Sequence, residues 1–91
     1  MKMILNKCFG GYDLPDKYLN KAEAKGLSRD DEVMRKDPEL IREIEEGTID
    51  NPSCTLLKVV EVPEGFTDYE ITDYDGWESI VYVLNGKLYW V

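Results

Sequence analysis

Met1–Tyr12 reads MKMILNKCFGGY, and the fold depends on how this stretch is parsed. Met3, Ile4, Leu5 and Cys8 stand among polar neighbours, which predicts a strand over roughly Lys2–Cys8. It stops at Gly10-Gly11, held between the aromatics Phe9 and Tyr12. Two glycines in succession permit a positive φ or an unusually close backbone approach. Whatever follows has to pack on that strand or lead out of that turn.

Working outward, Asp13, Pro15 and Asp16 form a helix-start signal, with Asp as cap, Pro in the first turn and an acid near the positive helix end. This helix is expected to reach about Lys25 and stop at Gly26, with Tyr18, Leu19 and Ala22 on its buried side. Leu27–Lys36 is polar and reads as a loop or a short helical turn. Asp37-Pro38-Glu39 is a cleaner start, again an Asp cap with Pro at the first helical position. The second helix runs to Glu46 and closes at Gly47, burying Leu40, Ile41 and Ile44, with Arg42 placed to pair with Glu46. Thr48–Ser53 is a loop.

From Cys54 the period becomes strand-like. Thr55–Val62 is apolar on both faces, as a central strand would be. Pro63-Glu64-Gly65 is a turn, and Phe66–Tyr74 alternates. Asp75-Gly76 and Asn85-Gly86 are two-residue hairpin signals that flank a strand at Trp77–Leu84 and lead to a last one at Lys87–Val91. The expected fold is α+β with two layers in a single domain, residues 1–91. It has an antiparallel sheet of about five strands, built as strand–helix–helix–four-strand meander, with two helices on one face. The first strand should lie beside Thr55–Val62.

Composition excludes several functions. The 91 residues contain no histidine and only two cysteines, Cys8 and Cys54. That removes the commonest zinc ligand set and the Cys-His catalytic pair, so no metal, cofactor or catalytic residue is assigned. Apolar runs are too short for a membrane span, and the early lysines spoil a signal-peptide core. A cytoplasmic location with reduced thiols is the expectation. The net charge of −8 is uneven: seven acids and no base lie between Lys58 and Lys87. Such a half repels phosphate backbones, which argues against direct nucleic-acid binding, and suits a basic protein surface.

The block Asn6-Lys7-Cys8-Phe9-Gly10-Gly11-Tyr12 resembles the opening of a family of small, uncharacterised bacteriophage-encoded proteins. The resemblance continues at Asp37-Pro38-Glu39-Leu40, at Cys54, through Leu57–Pro63, and at Tyr69-Glu70-Ile71 and Tyr74-Asp75-Gly76-Trp77-Glu78. Members of that family often end in His-Arg-x-Trp, whereas this chain reads Leu88-Tyr89-Trp90-Val91. The resemblance implies a phage or prophage origin, and so the cytoplasm of an infected or lysogenic bacterial host. It implies no activity.

Each candidate site has a plainer alternative. Cys8 as a nucleophile needs a base, a cation or a helix N-terminus to lower its pKa, and a buried structural thiol is the simpler reading. Phe9-Gly10-Gly11-Tyr12 leading toward a helix offers N–H groups to an anion, but matches no phosphate-loop pattern and also suits a tight turn. Asp73, Asp75 and Glu78 lack the spacing of a calcium loop, and a solvated acidic face is preferred. Phe9, Tyr12, Tyr74, Trp77 and Trp90 suggest an aromatic pocket for a nucleobase, guided by Asn6 and Lys7, although core packing accounts for most such rings.

The binding candidates are therefore Asn6, Lys7, Phe9, Gly10, Gly11, Tyr12, Tyr74, Asp75, Trp77 and Trp90. The expected function is a small acidic interaction protein that binds and inhibits a host defence or nucleic-acid-handling protein through a basic surface. The alternative is a small-molecule or nucleotide binder that sequesters a signalling ligand. Lys87–Val91 is an edge through which copies would associate as a homo-oligomer.

Overall fold

The structure, a computed structural model, describes residues Met1–Val91. In chain order it has β1 (Lys2–Asn6), α1 (Asp16–Ala24), α2 (Glu32–Arg35), α3 (Pro38–Glu46), β2 (Leu57–Glu61), β3 (Asp68–Tyr74), β4 (Trp77–Leu84) and β5 (Lys87–Trp90). The class is α+β and every strand pairing is antiparallel. β1 does pair with β2, from Lys2 opposite Glu61 to Asn6 opposite Leu57.

The strands divide into two sheets, β1–β2 and β3–β4–β5, where one sheet was expected. The reason lies in β1 and β2, which are apolar on both faces. Ile4 and Leu57 pack with Leu14, Tyr18, Ala22, Met34 and Leu40 of the helical layer, and Val59 joins them. Met3, Leu5 and Val62 point the other way and pack with Ile80 and Tyr82 of β4. The helices can cover only one of these faces, so the three-stranded sheet folds back over the other. The result is three layers rather than two. Thr55–Val62 reads as apolar on both sides because it lies between layers, not because it is central within a sheet.

Local signals set the helices with one shift and one addition. α3 begins as expected: the Asp37 side chain accepts from the Leu40 N–H at 3.0 Å, and Pro38 opens the helix. α1 begins at Asp16 with Pro15 as cap, because Asp13 accepts from its neighbour Leu14 and pairs with Arg29 at 3.1 Å. The turn within Leu27–Lys36 is the four-residue α2, capped by Asp31 and anchored by two buried side chains, Met34 and Arg35. Both hairpins have a positive φ at both central residues, Asp75-Gly76 and Asn85-Gly86, the type I′ geometry that matches strand twist.

The helical layer is tied together by carboxylates. Burial pushes the Asp37 carboxyl up, but the 2.6 Å contact with Lys21 and the Leu40 N–H more than offset this and hold its pKa below the ordinary value. Glu39 is held down by Lys17, and Glu43 by the Tyr18 hydroxyl and Lys17. A carboxylate depressed in the folded state stabilises above its unfolded pKa, about 4, and loses that contribution as pH falls through the folded value. Asp37→Ala should therefore cost about 1 kcal/mol or more at neutral pH, with the penalty shrinking below about pH 4. Urea melts of both proteins across that range would check it, and a pH-independent penalty would contradict it.

Candidate functional site

β3 and β4 are joined by a two-residue turn, so their residues face each other in fixed pairs: Tyr74 with Trp77, Thr72 with Ser79, Glu70 with Val81 and Asp68 with Val83. β5 extends two of these rows, setting Trp90 beside Val81 and Leu88 beside Val83. All these side chains lie on the side of the sheet turned away from β1, since Ile80 and Tyr82 occupy the inner side. The outward face carries Tyr74, Trp77, Val81, Val83, Leu88 and Trp90, with Asp68 and Glu70 along the β3 edge.

Within this face lies a cleft of about 410 Å³, lined by Phe9, Thr72, Asp73, Tyr74, Trp77, Ser79 and Trp90. It exists because the row between the aromatic rows carries only Thr72 and Ser79. Same-face rows on a strand are about 7 Å apart, so short side chains there leave a trough with rings on either side. Phe9 leans in from the turn after β1, its ring 5.1 Å from that of Trp77 and tilted by 41°. Tyr74, Phe9 and Trp90 are 74, 65 and 64% exposed. No lysine or arginine lines the cleft. The Asp73 carboxylate accepts from the Gly76 N–H at 2.9 Å and forms no ion pair.

Beneath the cleft is a buried polar junction. Arg35 from α2 grips Glu78 from β4 with two hydrogen bonds of 2.9 and 2.8 Å, both side chains only about 5–6% exposed. Arg35 also donates to the carbonyls of Ile4 and Asp30, and Glu78 accepts from the Asn6 N–H at 2.8 Å. Burial opposes the Arg35 charge, but hydrogen bonds and attraction from Glu78 outweigh it and hold the guanidinium above its ordinary pKa. The Tyr12 ring lies 4.1 Å from that guanidinium. Burial pushes the Tyr12 phenol well up, and its hydroxyl has no hydrogen-bond partner.

The ten sequence candidates separate by layer. Phe9, Tyr74, Trp77 and Trp90 come together at the cleft, and Asp75 sits at the tip of the adjoining hairpin. Asn6 and Lys7, expected as polar guides for a base, are turned away from it. Asn6 is fully buried and donates to the carbonyls of Cys8 and Gly76, while Leu56 N–H donates to its oxygen. Lys7 donates to the Glu78 carbonyl at 2.6 Å, and burial lowers its pKa. Tyr12 stacks on Arg35, inside the molecule.

Gly10 and Gly11 serve close packing. A Cβ on Gly10 would lie 1.9 Å from the Cys54 carbonyl oxygen, and one on Gly76 would lie 2.4 Å from the Gly11 nitrogen. No anion cradle forms there, since the residues beside the start of α1 include Asp13, Asp16 and Asp50. Glu78 is drawn inward by Arg35, so it does not join Asp73 and Asp75 around a cation. Cys8 and Cys54 are free thiols, and no hydrogen bond or ion pair reaches the Cys8 sulfur.

No family model, curated protein or solved structure matches the chain. The site therefore rests on its own geometry. Thr72 and Ser79 were missed in the sequence although a signal existed, since a two-residue Asp-Gly turn forces the pairs 74–77 and 72–79; Asp73, weighed there only with Asp75 and Glu78 as a calcium site, pairs with Glu78. Arg35 and Glu78 had no such signal. No helix is long and apolar enough to cross a membrane.

Proposed function

We propose that this chain is a small interaction protein of bacteriophage origin, acting in the cytoplasm of a bacterial host, whose outer sheet face docks on a basic host protein and inhibits it. The observation that supports this most is the open aromatic face. Phe9, Tyr74, Trp77, Leu88 and Trp90 are all exposed around one surface. Contiguous apolar patches of this kind mark interaction sites, and Trp and Tyr are the residues on which interface energy concentrates. Asp68, Glu70, Asp73 and Asp75 surround the face, are exposed, and enter no ion pair within 4.0 Å. Such a rim steers a positively charged partner and disfavours direct contact with nucleic-acid phosphates.

The phage origin rests on the resemblance carried by Asn6–Tyr12, and the host target on that origin. Proteins that handle nucleic acid present basic grooves, which is the surface this charge pattern complements. The free side of β5, at the edge of its sheet, is where a second copy would add.

The cleft also favours a second reading, a small-molecule or nucleotide binder, because its volume falls in the range of ligand pockets. It ranks lower for a nucleotide, whose phosphates would find no lysine or arginine in the lining and have Glu70 in the row that carries Trp90. The test is capture from bacterial lysate by the wild type and by Trp90→Ala, an exposed change with little effect on stability. The wild type should retain a basic protein that Trp90→Ala releases and that elutes as salt rises toward about 1 M, where the screening length falls to about 3 Å. Equal retention by both proteins, or none by either, would overturn the proposal.

A further inference from the structure

We infer that the outer face of β3–β4–β5 receives an amphipathic helix of the partner, with its apolar stripe along β4 and β5 and its basic flank over Asp68 and Glu70. This rests on the docking proposal above and names the element that docks. The face is divided lengthwise. Trp77, Val81 and Val83 of β4 and Leu88 and Trp90 of β5 make an apolar band, while Asp68 and Glu70 stand on β3 in the rows that carry Leu88 and Trp90. In these rows lies a second, shallower groove of about 100 Å³, lined by Asp68, Tyr69, Glu70, Val81, Val83 and Leu88. Neither it nor the aromatic cleft contains a lysine or arginine. Asp68 and Glu70 are exposed and enter no ion pair. Their charge is unmatched within the fold and runs beside open apolar surface, which a basic amphipathic partner complements.

Backbone chemistry selects a helix. An extended segment laid on a sheet face, away from its edge, would leave its N–H and C=O groups unpaired, whereas a helix pairs its own. From Trp77 to Val83 the apolar band is roughly 20 Å long, the length of about 13 helical residues. Asp68 and Glu70 lie about 7 Å apart along β3, close to the helical pitch of about 5.4 Å, so bases one turn apart on one flank reach both. A large apolar side chain of the same helix enters the trough over Thr72 and Ser79. Other occupants fail on charge or shape. Nucleic-acid phosphates and an anionic bilayer surface would be repelled by the β3 carboxylates. A second copy stacked face to face would bring two sets of carboxylates and no base. Its helices could not serve either, since α1 and α3 turn their apolar sides to their own core.

The chain carries its own reporter, because Trp77 and Trp90 are its only tryptophans and both line the cleft. The experiment follows tryptophan emission of the full chain during titration with three blocked peptides. The first is about 14 residues of leucine and lysine in amphipathic helical order. The second has glutamate for every lysine, and the third is the first with a central proline, which breaks the helix and keeps the charge. The leucine–lysine peptide should give a saturable change, the glutamate peptide none, and the proline peptide should bind about tenfold more weakly or worse. Asp68→Asn with Glu70→Gln should weaken the leucine–lysine peptide about fivefold at an unchanged melting midpoint. Glu23→Gln with Asp50→Asn removes the same net charge from the helical layer and should leave its binding unchanged.

A flat leucine–lysine titration to concentrations on the order of 1 mM overturns the inference. Equal binding of the proline peptide also overturns it, in favour of an unstructured basic segment. So does equal weakening by the two double variants, in favour of diffuse attraction to the net charge. If the titration is flat while a lysate partner is still lost with Trp90→Ala, docking stands and the helix falls. If both are negative, both fall.

Discussion

Glu78→Ala will lower the free energy of unfolding by about 3–5 kcal/mol, a large share of the roughly 5–15 kcal/mol available to a domain of this size. The loss comes less from the missing attraction than from what is left behind, a guanidinium about 95% buried with its carboxylate removed. The Asn6 N–H also loses its acceptor. Arg35→Met should be comparably damaging, because Glu78 would then be the uncompensated charge. The double variant Arg35→Met with Glu78→Leu should cost far less than the sum, since two apolar side chains need no partner in the dry junction. Denaturant melts of the four proteins in a double-mutant cycle would give a coupling of more than about 1 kcal/mol. Additive losses would mean that the pair is not the junction between α2 and β4 described above.

Asn6→Ala should cost about 3 kcal/mol or more for a different reason. Its amide nitrogen donates to the Cys8 and Gly76 carbonyls at 2.7 and 2.6 Å, and its oxygen accepts from Leu56 at 2.8 Å. One side chain thus joins the turn after β1, the approach to β2 and the β3–β4 hairpin. Removing it strands three backbone groups, at about 1–3 kcal/mol for each that water cannot reach. Asn6→Asp is the sharper control. It keeps the shape and the bond from Leu56, but a carboxylate cannot donate and would face two carbonyls near Glu78. It should be at least as destabilising as alanine, with faster hydrogen exchange at the Gly76 turn. An Asp variant as stable as the wild type would show that these contacts contribute little.

These two residues also show where sequence reasoning reached its end. Asn6 was visible as part of a distinctive block, but its polarity beside aromatics suggested ligand contact. The structure turns it inward, and the same inward turn explains the double glycine. Gly10 and Gly76 lie where a Cβ would strike Cys54 and Gly11, so the block packs three loops together. Arg35 looked like one charge among many in a polar stretch, since nothing near it in sequence marks it as buried.

The sequence by itself determined the elements whose causes lie within a few residues. These include the Asp37-Pro38 start of α3, its end at Gly47, the two type I′ hairpins and the apolar alternation of the strands. Hairpin register followed too, because a two-residue turn leaves no freedom in how β3 and β4 align. Only the tertiary structure decided that β1 and β2 lie between layers, that the sheet divides, and that one face of β3–β4–β5 is left open with its aromatics outward. Those outcomes depend on contacts such as Arg35 with Glu78 and Asn6 with Glu78, 43 and 72 residues apart. Such contacts follow from which apolar faces still need cover once the local elements have formed, and no local pattern records that.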